Sequence, residues 1–322
     1  MVFDVLPIQK SELMLLMLDE ANKEGWSYST EDVNFYFDCH MNRIYVVKVN
    51  GKLAGCVILH ASSSIIDKKP LYSAGFFLVV DKYRGQKIGS YLWQKAFTEN
   101  LQADAMVCFH SVPRAISYYE KMGYNQTILT NYYYKLRVNN LKNLSNESIE
   151  KLFSSTTLRI IDSDTKSDLY KFNSNLFIGV GGLGICDFVS QWINRSDALI
   201  VGYYDQGNLQ GYGVVTVCSH LSGQVSYRIS PLYALNPGVA QALTKGLVYI
   251  LAKKSFAHIE LNTLSSYHDS FSRFLKSLGF IEAGKNYVVC NHPTRINHDI
   301  KLLNNIFCSI PLEYPHEAIA GT

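Results

Sequence analysis

The sequence predicts an α/β chain of two halves with a similar plan, and three observations carry that reading. An apolar, β-branched and aromatic run, Phe76 to Val80, passes through a short basic, glycine-containing turn into a segment with apolar residues at helical spacing through Leu92 and Phe97. A helix ending, Tyr119-Glu120-Lys121-Met122-Gly123-Tyr124, is echoed by Leu275-Lys276-Ser277-Leu278-Gly279-Phe280, a repeat of period roughly 150 residues. Between them, residues 138–156 are rich in Asn and Ser, which suits a boundary in a 322-residue chain for which two domains are the default.

Composition sets the outer limits. With 48% hydrophobic and 18% charged residues the chain can bury substantial cores. The net charge of +3 suits anionic small ligands and falls short of the basic footprint of a nucleic-acid binder. Seven cysteines, Cys39, Cys56, Cys108, Cys186, Cys218, Cys290 and Cys308, stand singly without a C-x-x-C pair or zinc spacing. They read as reduced, buried thiols in a reducing compartment, with no metal expected. The run Leu13 to Leu18 is short and framed by Glu12, Asp19 and Glu20, so it reads as a helix of a soluble, cytoplasmic protein and neither a leader nor a membrane span.

Taken in order, Val2 to Ile8 alternate like a first strand, and Ser11 is the expected cap of a helix reaching Asn22. Gly25-Trp26-Ser27 breaks the pattern, and Ser29-Thr30-Glu31-Asp32 starts a second helix carrying Val33, Phe35 and Tyr36. Arg43 to Val49 and Leu53 to His60 are strands joined by Asn50-Gly51, the strongest hairpin signal in the chain because both residues tolerate positive φ. The Phe76 strand and its helix follow, then a strand Met106 to Phe109 and a helix from Arg114 that Gly123 stops.

The second half repeats the alternation. Leu158 to Ile161, Asp197 to Tyr204 and Gly211 to Cys218 read as strands, with Gln206-Gly207-Asn208 a turn. Asn236-Pro237 supplies the cap and first residue of a helix to about Ala252, Ile259 to Asn262 is a strand, and Ser270 to Leu278 is a helix ended by Gly279.

Arg84-Gly85-Gln86-Lys87-Ile88-Gly89 resembles the R/Q-x-x-G-x-G/A acyl-CoA loop of the GNAT acetyltransferases, with Lys87 where that family has its first glycine. Ala115, Tyr119, Glu120, Lys121, Gly123 and Tyr124 match the family's A-x-x-x-Y-E-K-x-G-F helix in spacing, and the two motifs stand in the family's order. The whole chain up to about Val289 is similar to YitH-like two-domain GNAT proteins, through Gly25-Trp26-Ser27 in the first half and Tyr227 to Ala234 in the second.

The resemblance implies tandem GNAT-type domains, each a mixed, mainly antiparallel sheet flanked by helices. The expected division is an acyl-CoA-binding domain 1–137, a linker 138–156, a diverged domain 157–292 and an extension 293–322. It implies acetyl-CoA as cosubstrate, pantetheine along Leu78, Val79 and Val80 with the backbone of Leu78 and Val80 as partners, and pyrophosphate against Arg84, Gly85, Gln86, Lys87, Ile88, Gly89 and Ser90. A helix N-terminus favours such an anion through its free N–H groups and dipole. Tyr119 is the expected general acid for the departing thiolate, and His110 is the candidate base. Trp26, Arg228, Tyr233 and His268 are the expected substrate-pocket residues.

In the second half Leu275 stands at the Tyr119 position and Asn236-Pro237-Gly238 replaces the basic loop, so that half reads as a pocket partner without its own acid. Gly179-Val180-Gly181-Gly182-Leu183-Gly184 matches G-x-G-x-x-G after an apparent short strand Leu176 to Ile178, but no second mononucleotide half follows, so it reads as a flexible pocket loop. The expected reaction is transfer of acetyl to a small-molecule primary amine by direct attack in a ternary complex. Protein lysine or N-terminal acetylation, and a non-catalytic acyl-CoA sensor, are the rival readings.

Overall fold

The computed structural model describes residues 3–63, 70–102, 105–124, 126–142, 144–155, 157–176, 183–219, 225–254, 256–264, 268–291 and 306–308. The first half runs β1 (Phe3–Pro7), α1 (Lys10–Met14), a π-helical turn Leu15–Glu20, α2 (Ala21–Lys23), α3 (Thr30–Asp38), β2 (Asn42–Val49), β3 (Lys52–Ser63), β4 (Pro70–Val79), α4 (Ile88–Trp93) continued by a π-turn Gln94–Thr98, β5 (Met106–Ser111), α5 (Ile116–Glu120) and β6 (Gln126–Arg137). The second half runs α6 (Asn146–Ser154), β7 (Leu158–Ile160), α7 (Lys166–Leu176), α8 (Leu183–Ile193), β8 (Leu199–Asp205), β9 (Asn208–Ser219), β10 (Ser226–Ala234), α9 (Pro237–Ala252), β11 (His258–Leu264), α10 (His268–Leu278), β12 (Ile281–Cys290) and β13 (Ile306–Cys308).

Local chemistry explains most boundaries. Ser29 Oγ accepts from Asp32 N–H while Asp32 accepts from Ser29 N–H, a capping box that starts α3. Asn50 and Gly51 take φ of 49° and 77°, pairing Val49 with Lys52. Asn236 Oδ1 accepts from Val239 N–H at 3.0 Å, and α9 begins at Pro237 as expected. Two expectations shift. The cap of α1 is Gln9, whose backbone N–H is taken by Glu12, and Ser11 lies inside the first turn. The expected linker contains α6, capped by Ser145, with Ile149 buried at its centre.

The halves share one sheet in the order β1-β2-β3-β4-β5-β12-β6-β11-β10-β9-β8-β7, with β13 on β10. The last strands are exchanged. β12 of the second half lies between β5 and β6, pairing Val289 with Phe109, and β6 of the first half pairs with β11, Lys135 opposite Glu260. Each exchanged strand buries side chains in the other half's core: Val289 packs with Trp93, Phe109 and Tyr119, while Tyr134 and Leu136 pack with Phe271 and Leu275. Fully burying an aliphatic or aromatic side chain stabilises by about 1.5–3 kcal/mol, so the exchange fuses the halves energetically. The six described cysteines are buried and none is in a disulfide. Among the described residues no helix is long and apolar enough to cross a membrane.

Candidate active site

The first half contains one parallel pair, and that pair opens. β4 and β5 are in register from Leu71/Met106 to Ala74/Phe109 and part beyond that point. The cause is a bulge: β3 and β4 slip register between Cys56 and Ile58, and Phe76 takes φ of 52°. Gly55 permits it, because a Cβ there would meet Leu78 O at 2.6 Å. Val80 N–H donates to Ala54 O at 2.8 Å, so Val80, and by strand alternation Leu78, turn their amides to β3. The expectation that Leu78 and Val80 offer backbone to the opening is therefore moved to Phe77 and Val79, whose main chain faces the other way.

The turn after β4 is shaped by its cations. Arg84 Nε donates to Val79 O at 3.0 Å and its guanidinium pairs with Glu24 and, at 3.4 Å, with Asp81. Arg84 thus clamps the turn to the α2 end. Lys87 is the residue before α4 and takes the left-handed φ of 63°, the conformation that a glycine would adopt without strain. Its side chain, like those of Gln86 and Ser90, is exposed. The first intrahelical bond is Tyr91 N–H to Lys87 O, so the amides of Ile88, Gly89 and Ser90 precede the ladder, and no side chain caps them.

Tyr119 lies on the α5 face of the sheet, in the core that Trp93 and Phe109 share. Its ring packs on Phe109 at 4.3 Å and Trp93 at 5.4 Å and is fully buried. Its hydroxyl has no hydrogen-bond partner among the described residues. Burial, with a contribution from Tyr118, pushes the phenol well above its ordinary value. The neighbouring Tyr118 Oη is 3.3 Å from Ser90 Oγ, tying α5 to the start of α4.

His110 sits on the other face. Successive residues of a strand alternate, so with Phe109 turned to Tyr119 the imidazole points toward the α1–α3 side. There Nδ1 is 2.9 Å from Asn286 Oδ1, and Asn286 Nδ2 donates to Tyr133 Oη at 2.7 Å. With its amide nitrogen so engaged, Asn286 presents oxygen to Nδ1, and Asn131 Nδ2 stands 3.4 Å from the same ring nitrogen. The structure does not bring Tyr119 and His110 together; the sheet stands between them.

A cavity of about 260 Å³ lies on this second face, and Trp26, Tyr28, Val112, Tyr133, Asn262 and Asn286 line it. Trp26 and Tyr28 also edge onto Phe76 of the bulge, at 5.8 and 5.5 Å. A cross-strand row of charges, Arg228, Glu260 and Lys135, forms its far wall. Arg228 Nε donates to Glu260 Oε1 at 3.2 Å, its other nitrogens reach Ser27 O and Asp32, and Asp32 takes Arg195 at 2.6 Å. Burial alone would raise the Glu260 carboxyl, but His258, Arg228 and Lys135 outweigh it and hold it at about 2. The ligand atoms of Cys218, His258 and Glu260 lie within 4.8 Å of one another and are the described group that could hold a metal ion, but Arg228 and Lys135 already neutralise Glu260 and oppose another cation.

Of the expected pocket residues, Trp26 and Arg228 meet in this cavity. Tyr233 does not line it; it is buried in β10 with its ring on Tyr212 at 5.4 Å. His268 begins α10, and its side chain lies outside the described residues. The Gly179 to Gly182 stretch also lies outside them, and Leu176 before it ends helix α7, not a strand. The rest of the expected strand, residues 177–178, lies outside the described residues with the loop. Sequence reasoning missed Asn286, Tyr133, Asn262 and Glu260, because β6, β11 and β12 become neighbours only through the strand exchange.

The sequence pattern of an acetyltransferase (GNAT) domain matches residues 40–126, and that of a second acetyltransferase (GNAT) domain matches residues 186–301. The chain belongs to the GNAT family. This GNAT acyltransferase is similar to a tandem GNAT protein from the clavulanic acid biosynthesis pathway, with a TM-score of 0.62 at 14% identity over 90% of this chain and 98% of that one. It is also similar to a GCN5-related N-acetyltransferase from Sphaerobacter thermophilus, with a TM-score of 0.58 at 13% identity over 89% and 95% of the chains. An uncharacterised protein of Caenorhabditis elegans is 24% identical over 250 residues, 74% of each chain.

Proposed function

We propose that the protein transfers an acetyl group from acetyl-CoA to the primary amine of a small molecule, and that the first half holds the cosubstrate. The parting of β4 and β5 past Ala74 carries the reading, because it turns the main chain of Phe77 and Val79 to a slot that no described strand fills. Three features fit acyl-CoA there. The main chain of Phe77 and the N–H of Val79, whose carbonyl already accepts from Arg84, suit the pantetheine amides. The amides from Gly85 to Ser90, uncapped at Ile88 to Ser90, suit a pyrophosphate. The hydroxyl of Tyr119, buried without a described partner, suits a sulfur that must leave with a proton.

Acetyl-CoA supplies the acyl group as an activated thioester; the chain supplies position and protons. The amine enters from the cavity face, past Trp26 and Val112, while Tyr119 approaches from the α5 face. As the C–N bond forms and the C–S bond breaks, the Tyr119 phenol gives its proton to sulfur and the nitrogen loses one to solvent or to His110 through Nε2, so charge balances. No covalent enzyme intermediate is needed, and Cys108 is buried packing.

Thermal unfolding with acetyl-CoA, CoA and NAD in parallel, followed by thiol release across an amine panel, tests the reading. Stabilisation by the CoA species alone and amine-dependent thiol release are expected. No shift with any CoA species overturns it.

A further inference from the structure

The halves repeat one order: hairpin, strand, helix, parallel strand, helix and exchanged strand, β2 to β6 in the first and β8 to β12 in the second. β10 and β11 are the parallel pair of the second half, as β4 and β5 are of the first. They too part, after Arg228/Glu260, and β10 slips register against β9 between Ile229 and Leu232, as β4 does against β3. The second opening differs in what fills it.

β13 runs antiparallel along β10 in that opening, pairing Cys308 with Leu232 and Ile306 with Tyr233. Cys308 is fully buried, its Sγ 2.9 Å from Ile229 O and 2.7 Å from Asn262 Oδ1. The helix that follows β10 is closed to anions as well. Pro237 has no N–H, and Asn236 Oδ1 already takes the Val239 amide, whereas no side chain caps α4.

We infer that the second opening is a slot for an extended peptide main chain, occupied by residues 306–308 of the same chain, and that the protein therefore carries a single acyl-CoA site. The strand takes the edge of β10 that would otherwise meet a pantetheine, and a buried thiol takes the space beside Ile229. Through Asn262, which lines the acceptor cavity, the same strand braces the wall of the first half's site.

Hydrogen exchange of the full chain, with and without saturating acetyl-CoA, tests this together with titration calorimetry. Amides of 306–308 and of Leu232 to Ala234 are expected to exchange at least about tenfold more slowly than unstructured chain without ligand. They should stay so with acetyl-CoA, while 77–90 gains protection and the stoichiometry is one. Cys308→Asp, which puts a charge into the buried position, should speed exchange at 306–308 and at Leu232 and Tyr233 together. Free exchange at 306–308, a second equivalent of acetyl-CoA, or acetyl-CoA releasing 306–308 overturns the inference. If acetyl-CoA protects nothing at 77–90 while 306–308 stays protected, the reading of the first half fails and the occupied slot stands.

Discussion

Tyr119→Phe is expected to move stability and turnover in opposite directions. In the free protein the hydroxyl is buried with no described partner, a condition that costs about 1–3 kcal/mol. Removing it leaves the ring against Phe109 and Trp93, so the packing contribution remains. With an unfolding entropy of about 2.1 cal/mol/K per residue, a 322-residue chain changes by about 0.7 kcal/mol per degree, so the melting temperature should rise by roughly 1.5–4 °C. The same change removes the proton donor, and thiol release with the best amine should fall about 10²–10⁴-fold with acetyl-CoA affinity nearly unchanged. The two assays are thermal unfolding without ligand and thiol release under saturating acetyl-CoA. A variant that melts lower, or that turns over normally, refutes the placement of this hydroxyl at the departing sulfur.

Three other outcomes follow from the charges and the loop. Asp32→Asn leaves Arg195 on Asp197 and Arg228 on Glu260 but breaks both bridges to α3, and should cost about 3 kcal/mol, read by denaturant unfolding. Glu260 has its carboxyl lowered from 4.5 to about 2, so its contribution is full above the unfolded value and is lost as pH falls from about 5 toward 2. Glu260→Gln should flatten that part of the stability profile. Lys87 holds a left-handed φ at a cost of about 1–2 kcal/mol, so Lys87→Gly should not destabilise and should keep acetyl-CoA binding, whereas Lys87→Val should weaken both.

What was legible in the sequence was local. Ser29, Asn50-Gly51 and Asn236-Pro237 announce a cap, a hairpin and a helix start because a side chain or a positive φ acts within a few residues. The Arg84 to Gly89 turn and the Tyr119 helix were legible for the same reason. The acceptor cavity was not. Asn286, Glu260 and Tyr133 stand on strands whose neighbours are set by exchange between halves, more than a hundred residues apart, and alternation alone does not name a strand's partner. Tyr233 was misplaced because it lies five residues beyond Arg228 on β10, past the register slip between Ile229 and Leu232, with its ring buried on Tyr212.

In the proposed function, acyl-CoA lies in the β4–β5 opening with its sulfur at Tyr119. A crystal structure of the acetyl-CoA complex tests it most directly. One ligand per chain is expected, its pantetheine hydrogen-bonded to the main chain of Phe77 and the N–H of Val79, its pyrophosphate on the 85–90 turn, and its sulfur within reach of Tyr119 Oη. A ligand seated between β10 and β11 with β13 displaced, or a sulfur far from Tyr119, would contradict it.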